Sequence, residues 1–212
     1  MRHVFLLFIS FFFLDSINPQ IYYGLKAGIA INNFTNRFSS NEKELLSIQS
    51  AVFAKIHLHQ LIIFQPSIGY YPKGIKLEES FFLDSYGNAI PVSNEKTRFD
   101  YIELALPFQY IIADKKFPVA VGFGPFVSYA VSGEVTFEYK PGQLIIEPTN
   151  RPIAFGIYGY NRFDAGVVTM LSTFLGKHWT GSINYDQGLT YTSYYGKQKT
   201  ISVGITVGYI FK

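Results

Sequence analysis

Five charged residues stand inside stretches that are otherwise largely apolar, and they are the first candidates for chemistry in this 212-residue sequence. They are Lys26, Lys55, Glu103, Asp164 and Asp186. Opposite charges that are removed from water need partners. Such a set forms either a structural network of ion pairs and hydrogen bonds or a path for protons or ions. The structural network is the prediction, because nothing in the sequence marks a path.

Other chemistry-bearing residues do not assemble into a recognisable site. His57 and His59 share one face of a predicted strand and could reach one metal, but no third ligand is placed with them. His178 falls in a predicted turn, and no serine has a nucleophile-like context. Gly122 and Gly124 lie in a strand pattern and do not make a phosphate loop. We therefore predict no enzymatic activity, no metal and no cofactor.

The element that must position these residues is a strand with two different faces. The last strand shows it most clearly, with large apolar residues at Val203, Ile205, Val207, Tyr209 and Phe211 and small ones at Ser202, Gly204, Thr206 and Gly208. A period of two is typical of a strand. Small residues on the second face indicate a crowded interior, so the large apolar face must contact another apolar medium.

The same alternation recurs in seven earlier segments: 21–32, 50–59, 61–71, 101–110, 119–131, 163–175 and 179–191. In each, the charged residues avoid the apolar face. A Lys or Arg facing lipid near the midplane costs roughly 2 to 4 kcal/mol, so a bilayer enforces this pattern. The prediction is an all-β fold, an eight-stranded antiparallel up-and-down transmembrane β-barrel, whose narrow interior is filled by side chains.

Connection lengths agree with this topology, because long and short connections alternate. The long ones are predicted at 33–46, 74–98 and 132–162. Outer-membrane barrels have long external loops and short periplasmic turns. The second and third long connections contain "FFLDSYGNAIPV" and "EVTFEYKPGQLIIEP", which are predicted to form projecting hairpins. Proline removes a ladder donor, so Pro66, Pro107 and Pro125 predict bulges or strand ends.

Composition and the N-terminus indicate export. "MRH" followed by "VFLLFISFFFL" is typical of a signal peptide, which we place at residues 1–20 with cleavage between 16 and 20, leaving the barrel domain at 21–212. Charged residues make up only 16% of the chain, against about 25% in typical soluble domains. The +3 charge is scattered, which argues against nucleic-acid binding, and the absence of cysteine excludes disulfides.

Several segments in order resemble the PorT-like, Bacteroidetes-type family of small outer-membrane barrels, which share the OmpA/OmpX type of architecture. They are "YYGLKAGIAINNF", "FQPSIGYYPKG", "YIELALPFQY", "GFGPFVSYAVSG", "RFDAGVV", "NYDQGLT" and "GITVGYIF". The resemblance implies insertion into the outer membrane of a Gram-negative cell by the barrel-assembly machinery. It also implies that Val207, Tyr209 and Phe211 face lipid and belong to the C-terminal assembly signal.

The expected role is structural, surface-interacting or secretion-accessory, carried by external loops of a monomer that contacts outer-membrane lipid and possible surface or secretion partners. Two alternatives stay open. An exported soluble β-barrel with an apolar lumen would bind a small apolar ligand, and its exterior would be charged. A narrow pore would conduct ions through the lumen.

Overall fold

The computed structural model describes residues 20–35, 41–83, 87, 89–113, 118–139, 149–156, 159–193 and 197–211. The predicted signal peptide lies outside these residues except for Gln20. In the described chain the strands are β1 (Ile21–Phe34), β2 (Glu42–His59), β3 (Ile62–Phe64), β4 (Ser67–Leu83), β5 (Ala89–Ala105), β6 (Phe108–Ala113), β7 (Val119–Tyr139), β8 (Asn150–Pro152), β9 (Phe163–Leu175), β10 (Trp179–Gly188) and β11 (Thr200–Phe211). None of the described residues belongs to a helix that is long and apolar enough to cross a membrane.

These strands form a closed barrel. Strands β3 and β4 are two parts of one barrel strand, because β3 pairs with β2, as β4 does, and with β6. Strands β5 and β6 likewise form one barrel strand, because both pair with β7. Strand β1 pairs with β2 on one side and with β11 on the other, and every strand pairing is antiparallel. The described residues therefore make an eight-stranded up-and-down barrel, with β8 added to the end of β7. The predicted fold class is confirmed.

The prolines interrupt two of the strands. Gln65-Pro66 separates β3 from β4, and Leu106-Pro107 separates β5 from β6. The ladder continues across both breaks, because Ala54 N donates to the Pro66 carbonyl and Gln65 N to the Pro107 carbonyl, each at 2.9 Å. Pro125 behaves differently from the prediction. It lies inside β7 without ending it, where it pairs with Val167.

Several strands are longer than their sequence patterns indicated. Strand β2 already begins at Glu42, and β4 and β5 continue as a paired hairpin to Leu83 and Ala89. Residues 42–46, 74–83 and 89–98, which were predicted as parts of long connections, are therefore strand. The inward-facing series continues there through Tyr71, Lys73 and Ile75, which are all buried. It is hidden in the sequence because charged residues occupy both faces.

The two faces of the barrel wall differ sharply. On β11, Ile205 and Val207 are each 56% exposed, whereas Thr206 between them is buried. The same outward apolar pattern covers β1, β7, β9 and β10. An apolar band of this extent, closed around a barrel without free edges, is suited to a bilayer. The core lies inside the barrel and combines polar, charged and aromatic side chains.

Candidate functional site

A buried cluster of charges crosses the middle of the lumen, and Lys73 is its centre. Lys73 Nζ lies 2.8 Å from Glu103 Oε2 and 3.4 Å from Asp164 Oδ2. The side chains of Lys73 and Glu103 are each only 2% exposed. The ammonium also lies 4.2 Å from the ring centroid of Phe126. We call Lys73, Glu103 and Asp164, with the neighbouring Lys26 and Asp186, the charged layer.

Hydroxyl groups complete the coordination of the carboxylates. Thr190 Oγ1 donates to Asp164 Oδ1, and Thr200 Oγ1 donates to Asp164 Oδ2, each at 2.7 Å. Ser128 Oγ donates to Glu103 Oε2 at 2.8 Å. These donors come from strands or connections on several sides of the barrel. The charged layer therefore connects several strands across the lumen. Ion pairing and hydrogen bonding offset much of the cost of removing these charges from water.

Four of the five predicted lumen residues belong to the charged layer. Glu103 and Asp164 hold the central ammonium, while Lys26 and Asp186 lie near them without an ion pair to each other among the described contacts. Lys26 Nζ also donates to Ser67 Oγ at 3.2 Å, and Asp186 is 5% exposed. Lys55 does not join them. Its Nζ lies 3.6 Å from the ring centroid of Phe174, at the short-turn end of the barrel.

Lys73, which joins the two carboxylates, is not among the site residues predicted from the sequence. The third predicted strand ends at Tyr71 and the next predicted connection begins at residue 74, so Lys73 belongs to neither. The signal that could have found it is the continued alternation of Tyr71, Lys73 and Ile75, all of which are buried. Pro72 and Gly74 on either side of Lys73 are typical turn residues, so this part of β4 looks like a turn in the sequence.

Above the charged layer, at the end of the barrel with the long connections, aromatic and aliphatic side chains close the lumen. Ile153, Phe155 and Tyr160, from the segment between β8 and β9, pack against inward-facing residues that include Phe99. The ring centroids of Phe99 and Tyr160 are 4.9 Å apart. Burial raises the pKa of the Tyr160 phenol above its ordinary value. We call Ile153, Phe155 and Tyr160 the mouth cap.

The mouth cap is fixed by polar contacts as well as packing. Ile153 N donates to the Gly133 carbonyl at 2.9 Å, which attaches the segment to β7. The Arg162 guanidinium carbon lies 4.2 Å from the ring centroid of Phe155, and Arg162 Nη1 donates to the Ala130 carbonyl at 2.8 Å. These contacts hold the mouth cap in place inside the barrel.

The C-terminal strand carries an aromatic cluster at the opposite end. Val207, Tyr209 and Phe211 point outward and are 56%, 38% and 44% exposed. The ring centroid of Tyr209 lies 5.1 Å from that of Trp179 and 5.6 Å from that of Phe211. Aromatic girdles of this kind lie at membrane interfaces in outer-membrane barrels.

The histidine pair has no metal-site geometry within the described chain. A register shift separates His57 from His59 where β2 pairs with β3. The ring of His57 instead meets the edge of Tyr22, with centroids 6.0 Å apart. Among the described residues, no three or more His, Cys, Asp or Glu side chains are grouped to bind a metal.

Comparison with known proteins identifies a family. Residues 18–194 match the family model described as outer membrane protein beta-barrel domain. No curated protein has a matching sequence. Among solved structures, the chain is similar to Neisserial surface protein A, with 11% identity, a TM-score of 0.49, and coverage of 92% of this chain and 100% of that one.

Two further solved structures are similar at the same low identity. Ail, the attachment invasion locus protein of Yersinia pestis, matches at 12% identity and a TM-score of 0.47, with coverage of 91% of this chain and 99% of that one. OprG from Pseudomonas aeruginosa matches at 11% identity and a TM-score of 0.44, with coverage of 90% of this chain and 95% of that one.

Proposed function

We propose that this chain, which belongs to the outer membrane protein beta-barrel domain family, is a monomeric outer-membrane barrel whose external hairpins make contacts at the cell surface. The observation that carries the proposal is the contrast between a filled lumen and a projecting β4–β5 hairpin. A barrel closed to solutes offers partners only its external elements. The proposed role is non-enzymatic and needs no cofactor.

The filled lumen supports surface contact over conduction. Eight strands leave an interior only wide enough for side chains. Here that interior holds the mouth cap, the charged layer and a lower amide pair in which Gln109 Nε2 donates to Gln65 Oε1 at 2.8 Å. This arrangement disfavours both a narrow pore and a lumen that binds an apolar ligand. The apolar exterior also disfavours a soluble exported barrel.

The β4–β5 hairpin supplies the surface for a partner. It pairs from Ser67 and Ala105 to Leu83 and Ala89, so it extends well past the apolar band. Its far half carries Lys76 and Glu78, whose side chains are 37% and 46% exposed, together with Phe81, which is 68% exposed. Strand β7 continues beside it to Tyr139. A broad three-stranded surface with charged and aromatic side chains is suited to contact with another surface molecule.

The proposal also covers the type of outer membrane, the signal peptide and the assembly signal. The resemblance to PorT-like barrels supports a Bacteroidetes-type outer membrane and a secretion-accessory role as the second candidate. Residues 1–20 serve as the signal peptide. Val207, Tyr209 and Phe211 belong to the strand that the barrel-assembly machinery reads, and their outward cluster with Trp179 supports this.

Insertion and orientation are tested with single cysteines, because the chain has none of its own. Ala89→Cys marks the hairpin, and Lys177→Cys marks a short turn at the opposite end; both residues are exposed. On intact cells, a membrane-impermeant maleimide should label Ala89→Cys and spare Lys177→Cys. The reverse result, or recovery of the protein in the soluble periplasm without a heat-dependent gel shift, would contradict the proposal.

The role is tested by shortening the hairpin. A variant in which residues 79–92 are replaced by a two-residue turn should keep the gel shift on heating and should change cell adhesion or autoaggregation. Secretion of exported proteins is measured in parallel. A defect in secretion alone would favour the secretion-accessory role. Unchanged adhesion, aggregation and secretion would contradict a function of the hairpin in either process.

A further inference from the structure

Three lysines form a row across the outer wall of the barrel, near its external end. Lys43 on β2 is the direct cross-strand partner of Lys76 on β4, which is in turn the partner of Lys96 on β5. Directly opposed residues of antiparallel strands point to the same face, and like charges in such positions destabilise the sheet. The row therefore requires a counter-charge. We call Lys43, Lys76 and Lys96 the lysine row.

The chain itself supplies little of that counter-charge. Glu78 lies 3.8 Å from the ammonium of Lys43 and 3.9 Å from that of Lys76. Lys96 has no carboxylate within ion-pair distance among the described residues. Two more acids share this face, but Asn94 donates to the Glu138 carboxylate at 2.6 Å and Asn150 to that of Glu134 at 3.4 Å. Neither carboxylate pairs with the row in the described chain.

A groove runs down the outer wall from this row. Its upper part, of about 500 Å³, has Lys96 and Arg98 at the top and Ile29 and Ile48 along its sides. Its lower part, of about 490 Å³, continues between Leu25, Val52 and Trp179. Ser50 and Tyr70 line both parts, so the two adjoin each other at these residues.

Small residues make the groove. Ala27 and Ser50 are direct partners on neighbouring strands and both face outward, where the flanking positions carry Leu25, Ile29 and Val52. The groove follows β2 from Leu46 to Val52, roughly 20 Å at about 3.3 Å per residue. A slot of this length and apolar character within the lipid-facing band fits one extended acyl chain.

Arg98 lies between the apolar groove and the lysine row on the outer wall. Its Nε donates to Asp100 Oδ1 at 2.9 Å, and Ser132 Oγ donates to Asp100 Oδ2 at 2.6 Å. The Arg98 charge is therefore already paired and held in place. In the lysine row immediately beyond it, Lys43 and Lys76 share Glu78 and Lys96 has no ion-pair partner among the described residues, so the row is left to bind an anion.

We propose that this wall binds an acyl-chain lipid with a phosphorylated headgroup, of the lipid A type found in the outer leaflet. One chain lies in the groove between Leu25 and Ile48, and the phosphate contacts the lysine row. The proposal rests on the external orientation of the long connections given above. It goes beyond surface contact by the hairpin, because the ligand lies along the barrel wall.

The test is lipid retention by the full-length barrel refolded in detergent and examined by native mass spectrometry. The probes are bis-phosphorylated lipid A and the same lipid after removal of its phosphates. Wild-type protein should retain the phosphorylated form preferentially. The variant K76Q/K96Q should weaken retention by about fivefold for each lysine removed. Its control, K177Q, has the same type of charge change at the opposite end and should bind as wild type.

The groove is tested separately with Ala27→Phe, which fills it, and Ala165→Phe, which adds the same bulk to another outward position on β9. Ala27→Phe should reduce retention of both lipids, and Ala165→Phe should not. Each variant is checked for the heat-dependent gel shift, so that loss of folding is distinguished from loss of binding. Equal retention by K76Q/K96Q and wild type would overturn the proposal. A wild-type dimer that Ala27→Phe dissociates would also overturn it, because a second copy of the chain would then occupy the groove.

Discussion

Lys73 and Glu103 form an ion pair at 2.8 Å inside the barrel, with both side chains 98% shielded from solvent. The pair joins β4 to β5 in the middle of the lumen. Asp164 on β9 completes the contact from the other side of the lumen. The interior is therefore organised around one cation that bridges distant parts of the wall.

Removing that cation should be strongly destabilising. Lys73→Met leaves Glu103 and Asp164 buried without their partner, which typically costs about 3–5 kcal/mol. The free energy of unfolding, measured by urea titration of the refolded barrel, should fall by this amount. Lys55→Met is the matched control, because Lys55 contacts the Phe174 ring instead of a carboxylate. Equal losses in the two variants would show that the ion pair is not the cause.

The mouth cap should contribute both stability and closure. Phe99 is fully buried and touches Phe155 and Tyr160. Phe99→Ala should lower the free energy of unfolding by roughly 3–5 kcal/mol. It should also raise single-molecule conductance in planar bilayers, since the cap loses its packing partner. Phe81→Ala, at an exposed position of the hairpin, should change neither quantity. A closed lumen in Phe99→Ala would mean that other residues seal it.

Closure of the barrel depends on a glycine where β1 meets β11. A Cβ at Gly28 would collide with the backbone carbonyl oxygen of Ile205. Overpacking of this kind costs about 1–3 kcal/mol, and backbone is less able to yield than a side chain. Gly28→Ala should lower the unfolding midpoint in urea. Gly181→Ala should be neutral, because its nearest neighbour would be Thr173 Cγ2 at 3.7 Å. Similar midpoints for the two variants would contradict this account.

The C-terminal aromatic residue should affect assembly more than stability. Phe211→Ala should reduce the amount of protein in the outer membrane of cells while leaving refolding into detergent nearly unchanged. Phe163→Ala removes an equally outward Phe from β9 and serves as the control. The comparison is made by immunoblot of outer-membrane fractions. Equal outer-membrane levels for the two variants would argue against a role of Phe211 in recognition by the assembly machinery.

The sequence by itself determined the barrel. Alternation with a period of two is a local property of the backbone, so the outward apolar residues and the eight barrel strands could be read from segments such as 200–211. Prolines at 66 and 107 also indicated the strand breaks correctly. Beyond the membrane band the two strand faces no longer differ in polarity, because charged residues can face water on the outside and polar residues also occur inside. The alternation therefore does not reveal the strands there.

Only the tertiary structure decided which charges meet. Lys73 reaches Glu103 and Asp164 because strands tilt and curve around a closed barrel, which brings distant segments to one level of the lumen. The same closure separated Lys55 from the charged layer. Pairing of β2, β4 and β5 likewise placed Lys43, Lys76 and Lys96 side by side. Cross-strand register is set by ladder geometry and bulges, and no single segment encodes it.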